Sequence, residues 1–369
     1  FKLRYFMPQL VFYRKYRPKV FAEVINQKNT IKTLSNALLQ GLIAHAYLFS
    51  GPRGVGKTTV ARLLAKSLNC QNRKPNEFEP CNKCESCLAI NAGHSMDLIE
   101  IDAASNRGIE DVRSLRDNIK FSPVSSKYKI FIIDEAHQIT KEGFNALLKT
   151  LEEPPEYVIF ILATTEPDKL LATILSRVQR YDFKKLNLDD TIKRLLYICK
   201  EEKIEFEEEA LRLIALYSEG GLRDAESLLG QISLITNRSI TKKAIEELVG
   251  AINFEKIKRF IDCLAKKNKE KSLEFISKIY DEGYDLEVFN KEVLNYLRKI
   301  LLLKVSPTLG KLLEKDTTSE EMTILFKQAE FFDTPYLEKL LGRFIEIQLQ
   351  LRRTPIPTLP FEICISQEL

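Results

Sequence analysis

The sequence predicts an α/β domain built on a parallel sheet, followed by a small and then a larger all-helical domain. Three observations carry this. Four nearly continuous apolar runs, HAYLFSGP, DLIEIDAAS, KIFIIDEAH and YVIFILATT, alternate with helical stretches at 57–69, 109–119 and 141–152. Such runs suit strands buried on both faces, and their alternation with helices suits parallel βαβ units. A complete phosphate-loop pattern, GPRGVGKT, joins the first run to the first helix. After QRYDFKKL the strand patterns stop, and helical patterns rich in Lys, Glu and Leu take over.

A chain of 369 residues has room for two or three domains and a sizeable core. Its 44% apolar and 29% charged residues are those of an ordinary globular protein. No apolar run reaches the roughly 20 residues of a membrane helix, so a membrane partner is not expected. The opening residues mix aromatics with Arg and Lys and lack the apolar core of a signal peptide. Met7 reads as the natural start, and FKLRYF before it is set aside. The net charge of +5 permits a nucleic-acid partner without demanding one. The basic arm YRKYRPK at 13–19 is either a solvated segment or a binding one. The seven cysteines read as reduced thiols, so a cluster of them points to metal rather than disulfides.

Taken in order, the α/β domain spans 8–184. Its phosphate loop comprises Gly51, Pro52, Arg53, Gly54, Val55, Gly56, Lys57 and Thr58, and Thr59 belongs to the same nucleotide-binding set. The glycines let backbone N–H groups turn onto phosphate oxygens. Lys57 supplies a point charge to the β- and γ-phosphates, and the Thr58 hydroxyl is a Mg²⁺ ligand. KIFIIDEAH ends a strand in two carboxylates: Asp134 for Mg²⁺, and Glu135 to orient or deprotonate an attacking water. FILATTEP ends another strand in Thr164 and Thr165, where a hydroxyl can meet that water or a phosphate. His45, His94 and His137 are scattered, with no nucleophile at a motif spacing, so a catalytic triad is not supported.

Directly behind the loop helix lie Cys70, Cys81, Cys84 and Cys87, in a module of about 70–90. Two overlapping C-x2-C steps can wrap thiolates around one tetrahedral ion, and Cys70 completes four. Zinc is the preferred metal because no redox-partner motif accompanies the loop; an iron–sulfur cluster and unligated thiols are the alternatives. Four thiolates leave no open position, so the site should be structural, a rigid appendage to the motor loop. Cys199, Cys263 and Cys364 lack metal spacing and are expected in the core.

The small helical domain, 185–250, reads as DDTIKRLLYICKEE, EEEALRLIALYSEGG, LRDAESLLGQISLIT and TKKAIEELVG, punctuated by Gly220–Gly221 and Asn237–Arg238. The larger one, 251–369, is broken by PTLG at 307–310 and TPIPTLP at 354–360. In AASNRGIEDVR, Ser105 or Asn106 reads as a helix cap with Arg107 and Arg113 nearby; a phosphate-holding helix start and a plain capped helix fit equally.

These residues together resemble one family. KYRP, HAYLFSGPRGVGKTTVARLLAKSLNC, the cysteine cluster, FIIDEAH, FNALLKTLEEPPE, ILATTEPDKLLATILSR and GGLRDAESLLGQ are similar to the bacterial DNA polymerase III gamma/tau subunit family. That family supplies the ATPase motor of the sliding-clamp loader, within the AAA+ class. The resemblance covers about 13–250 strongly, and the C-terminal part is compatible with a ring-forming collar. It implies ATP, Mg²⁺ and structural Zn²⁺ as cofactors. It also implies a hetero-oligomeric, pentameric ring with other clamp-loader subunits. The sliding clamp, primer-template DNA and the polymerase III holoenzyme are the further partners implied, in the cytoplasmic, nucleoid-associated replisome. By the same resemblance ILSR gives an arginine finger at Arg177, with Val178 where the family usually has Cys; Thr165 is the sensor-1 position and Arg223 the sensor-2 arginine. Arg17, Pro18 and Val20 fall near the adenine. The rival readings are another AAA+ remodelling enzyme and a non-enzymatic scaffold. No helix-turn-helix or winged-helix signature supports the first, and intact Lys57, Thr58, Asp134 and Glu135 argue against the second.

Overall fold

The computed structural model describes residues 11–106, 108–249, 254–306, 319–351 and 353–368. They divide into two units, 1–241 and 242–369. The composition break expected at 250 lies later than this division, which groups the TKKAIEELVG helix with the C-terminal unit.

In the first unit, helices α1 (Phe12–Lys15) and α2 (Lys28–Gln40) precede strand β1 (Ala46–Ser50). Then come α3 (Lys57–Asn69), α4 (Glu85–Ala92), β2 (Leu98–Asp102), α5 (Ile109–Ile119), β3 (Lys129–Asp134), α6 (Lys141–Glu152), β4 (Val158–Thr164), α7 (Ala172–Leu175) and β5 (Gln179–Asp182). The five strands form one sheet in the order β2-β3-β4-β1-β5, with every neighbouring pair parallel. The apolar runs explain the middle of it: all of β4 and β1 and most of β3 are buried, as residues covered by helices on both faces must be. One face packs Leu34, Val60, Leu64 and Ile161. The other packs Val112, Phe144, Leu147 and Phe160, with Phe131 and Phe160 stacked at 5.6 Å.

Two expectations change at the edges. DLIEIDAAS is not buried on both faces: β2 is an edge strand whose residues are partly or fully exposed. An edge strand has a neighbour on one side only, so its polar Glu100 and Asp102 reach solvent. Polar β5 is the opposite edge, with only Tyr181 buried. Strands also recur after 183. In the helical lid, α8 (Leu188–Glu202), α9 (Glu208–Tyr217) and α10 (Leu222–Ile235), a two-residue ladder pairs β6 (Glu205–Phe206) with β7 (Ser239–Ile240). Such short pieces carry no period to read. The punctuation of the lid is geometric: Gly220, Asn237 and Arg238 all have positive φ.

The second unit holds α11 (Lys242–Val249), α12 (Phe254–Ala265), α13 (Lys269–Asp281), α14 (Leu286–Val305), α15 (Ser319–Ala329), α16 (Thr334–Gln350) and α17 (Leu359–Glu368). Phe260, Phe289, Phe344 and Phe361 form its aromatic centre, with Phe260 and Phe289 rings 5.1 Å apart. Fully buried Asn290 donates to the Phe344 carbonyl at 2.9 Å and to Gln348 Oε1 at 2.8 Å, so its amide hydrogens find partners. PTLG at 307–310 lies outside the described residues. Cys199 and Cys364 are core residues, whereas Cys263 is only half-buried. Among the described residues no helix is long and apolar enough to cross a membrane.

Candidate functional site

The strand order brings the carboxyl ends of β3, β4 and β1 side by side, the edge at which open parallel sheets bind ligands. A cavity of about 460 Å³ opens there. The phosphate loop from Arg53 to Thr59 forms its floor, Asp134 and Glu135 one wall, and Leu222, Arg223 and Glu226 of the lid its cover.

The loop's shape follows from its glycines. Gly51 sits at φ 146, and a Cβ there would meet the Phe183 carbonyl oxygen at 2.4 Å. Gly54 sits at φ 75, where a Cβ would lie 3.2 Å from Gly221 Cα of the lid. The chain then enters α3, whose first residues, Lys57, Thr58 and Thr59, line the cavity. Lys57 is 6% exposed, and its ammonium donates to the carbonyls of Gly51 at 2.7 Å and Pro52 at 2.8 Å. Burial lowers its proton affinity, while Glu135 and Asp134 act the other way. The Thr58 hydroxyl donates to Asp134 Oδ2 at 2.8 Å, which puts together two hard oxygens that could hold one Mg²⁺.

Glu135 is held unusually firmly. Its φ of 48° is left-handed, a conformation that costs a non-glycine residue about 1 kcal/mol or more. The Thr165 hydroxyl donates to its Oε2 at 3.1 Å. His137, its side chain 4% exposed, places Nδ1 3.5 Å from the same oxygen and 3.0 Å from Thr164 Oγ1, with Nε2 3.3 Å from Glu166. From the sequence alone His137 has no assigned role. Its only sequence signal was nearness to Glu135; its partners Thr164 and Glu166 come from a different strand end.

The basic arm supplies the remaining wall. Tyr13, Arg17 and Pro18 line the cavity, and so do Val24 and Ile25. Burial lowers the Arg17 pKa, helped by the like charge of Arg62. Val20 does not line the cavity: it takes an extended conformation as the cap of a short 3₁₀ turn, Phe21–Glu23, and the chain meets the cavity again only at Val24. The arm is fastened to the lid. Lys15 and Tyr16 both reach Glu202, at 2.5 and 2.7 Å, and Arg194 donates to the Tyr16 carbonyl while pairing with Glu226 at 2.8 Å. Burial raises the Glu226 pKa against the pull of Arg194 and Arg17. Arg223 lies in the first turn of α10, donates its N–H to the Gly54 carbonyl at 3.3 Å and lays its guanidinium over the Tyr13 ring at 4.8 Å.

Arg177 lies elsewhere. It does not line its own chain's cavity, and it pairs with Glu152 at 2.6 Å and donates to the Thr173 carbonyl at 2.7 Å. Ser105 and Asn106 do not cap α5 as expected. Both side chains turn back onto Asp102, at 3.1 Å each, and the first bond of α5 runs from Val112 to the Gly108 carbonyl. Arg107 and the side chain of Arg113 lie outside the described residues.

The four Sγ atoms of Cys70, Cys81, Cys84 and Cys87 lie within 4.8 Å of one another, and two of the pairs are 4.0 Å apart. Four sulfurs bound tetrahedrally at about 2.3 Å would sit about 3.8 Å apart, so the set could hold one such ion. The backbone favours a thiolate at Cys81, whereas burial pushes the Cys70 and Cys87 thiols up. Lys83 and Cys84 direct their N–H groups at Cys81 Sγ from 3.4 and 3.3 Å, and against the effect of burial these and the neighbouring thiols bring the Cys81 pKa down to about 6.

A parallel sheet in this order, a complete phosphate loop, paired carboxylates ending β3 and a helical lid over the cavity define an AAA+ nucleotide-binding module. The matched family models agree and go further. A model described as DNA polymerase III, delta subunit, matches 26–187; the clamp loader subunit ATPase lid domain matches 191–234; and domain III of DNA polymerase III subunits gamma and tau matches 240–364. The chain is 40% identical to DNA polymerase III subunit tau of Bacillus subtilis over 96% of its own length and 62% of that protein. It is also 40% identical to DNA polymerase III subunit gamma of Buchnera aphidicola over 80% of each. The chain belongs to the DNA polymerase III gamma/tau subunit family, and it spans less than two thirds of the Bacillus relative. Among solved structures it is similar to the Thermotoga maritima RuvB branch migration motor, with a TM-score of 0.46 at 19% identity over 68% of this chain and 79% of that one.

Proposed function

We propose that this chain is the ATP-driven motor subunit of a bacterial sliding-clamp loader. Binding of ATP orders a ring of such subunits that holds the sliding clamp open, and hydrolysis on primer-template DNA releases it closed. The observation that carries this reading is the division of labour between two surfaces. Lys57, Thr58, Asp134 and Glu135 line one cavity, with the Thr165 hydroxyl on Glu135, whereas Arg177 stands outside it, paired with Glu152 at the surface. Within the chain, the loop binds phosphates, Thr58 and Asp134 hold Mg²⁺, and Glu135 positions the water. Arg223 couples the lid to the γ-phosphate. Residues 251–369 would form the collar of the ring, the other clamp-loader subunits completing a pentamer that works with the polymerase III holoenzyme at the nucleoid.

The test is ATP turnover by the reconstituted assembly with and without the sliding clamp and primed DNA. Stimulation needing both supports the proposal. Turnover indifferent to the clamp, or stimulated equally by unprimed DNA, would point to another remodelling enzyme, and no turnover to a scaffold.

The cysteine cluster is proposed to carry one zinc per chain. Elemental analysis of purified protein should return about one zinc and no iron, and Cys84→Ser should bring the zinc content close to zero, because three ligands bind such an ion far more weakly. Iron with labile sulfide, or no metal in undamaged protein, would count against the assignment.

A further inference from the structure

The cysteine cluster and the phosphate loop stand at opposite ends of one helix. Lys57 opens α3 and Cys70 caps its C-terminus, thirteen residues apart, or about 20 Å along the axis. The expectation of a rigid appendage would fit if that helix were the whole connection. A second connection exists, and its centre is Lys66, 2% exposed.

A buried ammonium needs acceptors on every hydrogen, and Lys66 finds three. They are the Lys19 carbonyl at 3.0 Å, Asn91 Oδ1 at 2.8 Å and Asn82 Oδ1. Asn82 sits at φ 55 in the turn between Cys81 and Cys84, and its own amide donates to the Lys19 carbonyl at 3.1 Å. From the preceding loop, Glu79 accepts the N–H groups of Phe21 at 2.7 Å and Ala22 at 2.9 Å. Between them the Phe78 ring packs on Phe21 with centroids 5.9 Å apart. The stretch 19–22 is thus gripped at one carbonyl, two N–H groups and one ring, all by residues of the cysteine module or facing it. The residues on either side of that stretch, Arg17 and Pro18 before it and Val24 and Ile25 after it, line the nucleotide cavity.

We infer that the cysteine module is a positioning device for the nucleotide cavity, with Glu79, Lys66 and Asn82 as its positioning residues. This rests on the cavity being the nucleotide site. Metal held by the four thiols closes the turn that carries Asn82 and fixes the loop that carries Glu79. Without the metal, 19–22 loses its anchors, and the entropy of ordering the cavity wall falls on the binding step instead. Nucleotide affinity is therefore linked to metal occupancy, although no thiol touches the cavity.

The test uses the full chain and calorimetric titration with ATP in magnesium buffer. Four samples are compared: wild type and Glu79→Ala, each zinc-loaded and each stripped with a chelator before dialysis. Zinc-loaded Glu79→Ala is expected to keep its zinc and melting temperature, bind ATP about tenfold more weakly, and exchange its 19–25 amides faster. Stripping should weaken wild type by at least as much and should add much less in Glu79→Ala, since both act by loosening the same stretch, 19–22. Glu79→Gln keeps one acceptor oxygen aimed at the turn and should fall between the two. Wild-type affinity in the stripped protein or in zinc-loaded Glu79→Ala overturns the inference. So does an equal loss on stripping in wild type and Glu79→Ala. Failure of zinc-loaded wild type to bind ATP at all would instead remove the nucleotide reading itself.

Discussion

Glu135→Gln is expected to bind ATP as wild type does and to lose turnover by roughly 10²–10⁴-fold, the span ordinarily associated with one positioned general base. The amide keeps the size of the side chain and an oxygen for the Thr165 hydroxyl, which now donates to Glu135 Oε2 at 3.1 Å. It loses the negative charge that, in the proposed function, orients and deprotonates water. Binding is spared because the phosphate loop, Lys57 and the Thr58–Asp134 pair are untouched. The backbone at this position is already bent into the left-handed region, with Thr165 and His137 converging on the carboxylate, so the group is oriented before any nucleotide arrives. Equilibrium ATP binding and single-turnover hydrolysis separate the two effects. Wild-type hydrolysis by Glu135→Gln would remove Glu135 from the water-positioning role. Weak binding with normal turnover would make it a binding residue instead.

Arg177→Ala is expected to cost more, on the order of 10³–10⁵ in the DNA-stimulated rate of the assembly, the range seen for arginine fingers supplied in trans. ATP binding by the isolated subunit should barely change. The guanidinium is one-third exposed, paired with Glu152 at the surface, and absent from its own cavity. A surface ion pair of this kind contributes little to stability, so its loss should not unfold the chain. It is also easily exchanged for a stronger charge partner, and a neighbour's γ-phosphate is one. Lys at this position should rescue poorly, because a point charge lacks the planar fork. An unchanged DNA-stimulated rate would leave Arg177 a surface residue of α7's end.

What the sequence carries of this divides by whether the signal is local. The helices at 57–69, 109–119 and 141–152 match the observed α3, α5 and α6 residue for residue, because apolar period and flanking strands agree there, although α6 carries a side-chain cap, Thr140, and α3 does not. The phosphate loop and the cysteine set were legible for the same reason: each is a contiguous pattern whose spacing is the chemistry. What was not legible is tertiary. That β2 is an edge strand depends on strand order, which no single run encodes. Val20 differs from Val24 only in which side of a 3₁₀ turn it falls on. His137 matters through Thr164 and Glu166, which reach it from the end of β4. Lys66 looks like any helix lysine until its three acceptors, from three separate segments, are brought around it.

The central claim is that the site is completed by a neighbouring subunit in a ring, and mixing two inactive proteins tests it most directly. Lys57→Ala lacks the loop charge but keeps its arginine; Arg177→Ala lacks the arginine but keeps its loop. Each alone should give assemblies with almost no DNA-stimulated turnover. In mixed assemblies some interfaces pair an intact loop on one subunit with an intact Arg177 on the next, and a fraction of the wild-type rate should return, rising and falling with the mixing ratio. No recovery at any ratio, with mixed assembly verified by differential labelling, would contradict the account and leave Arg177 acting within its own chain or not at all.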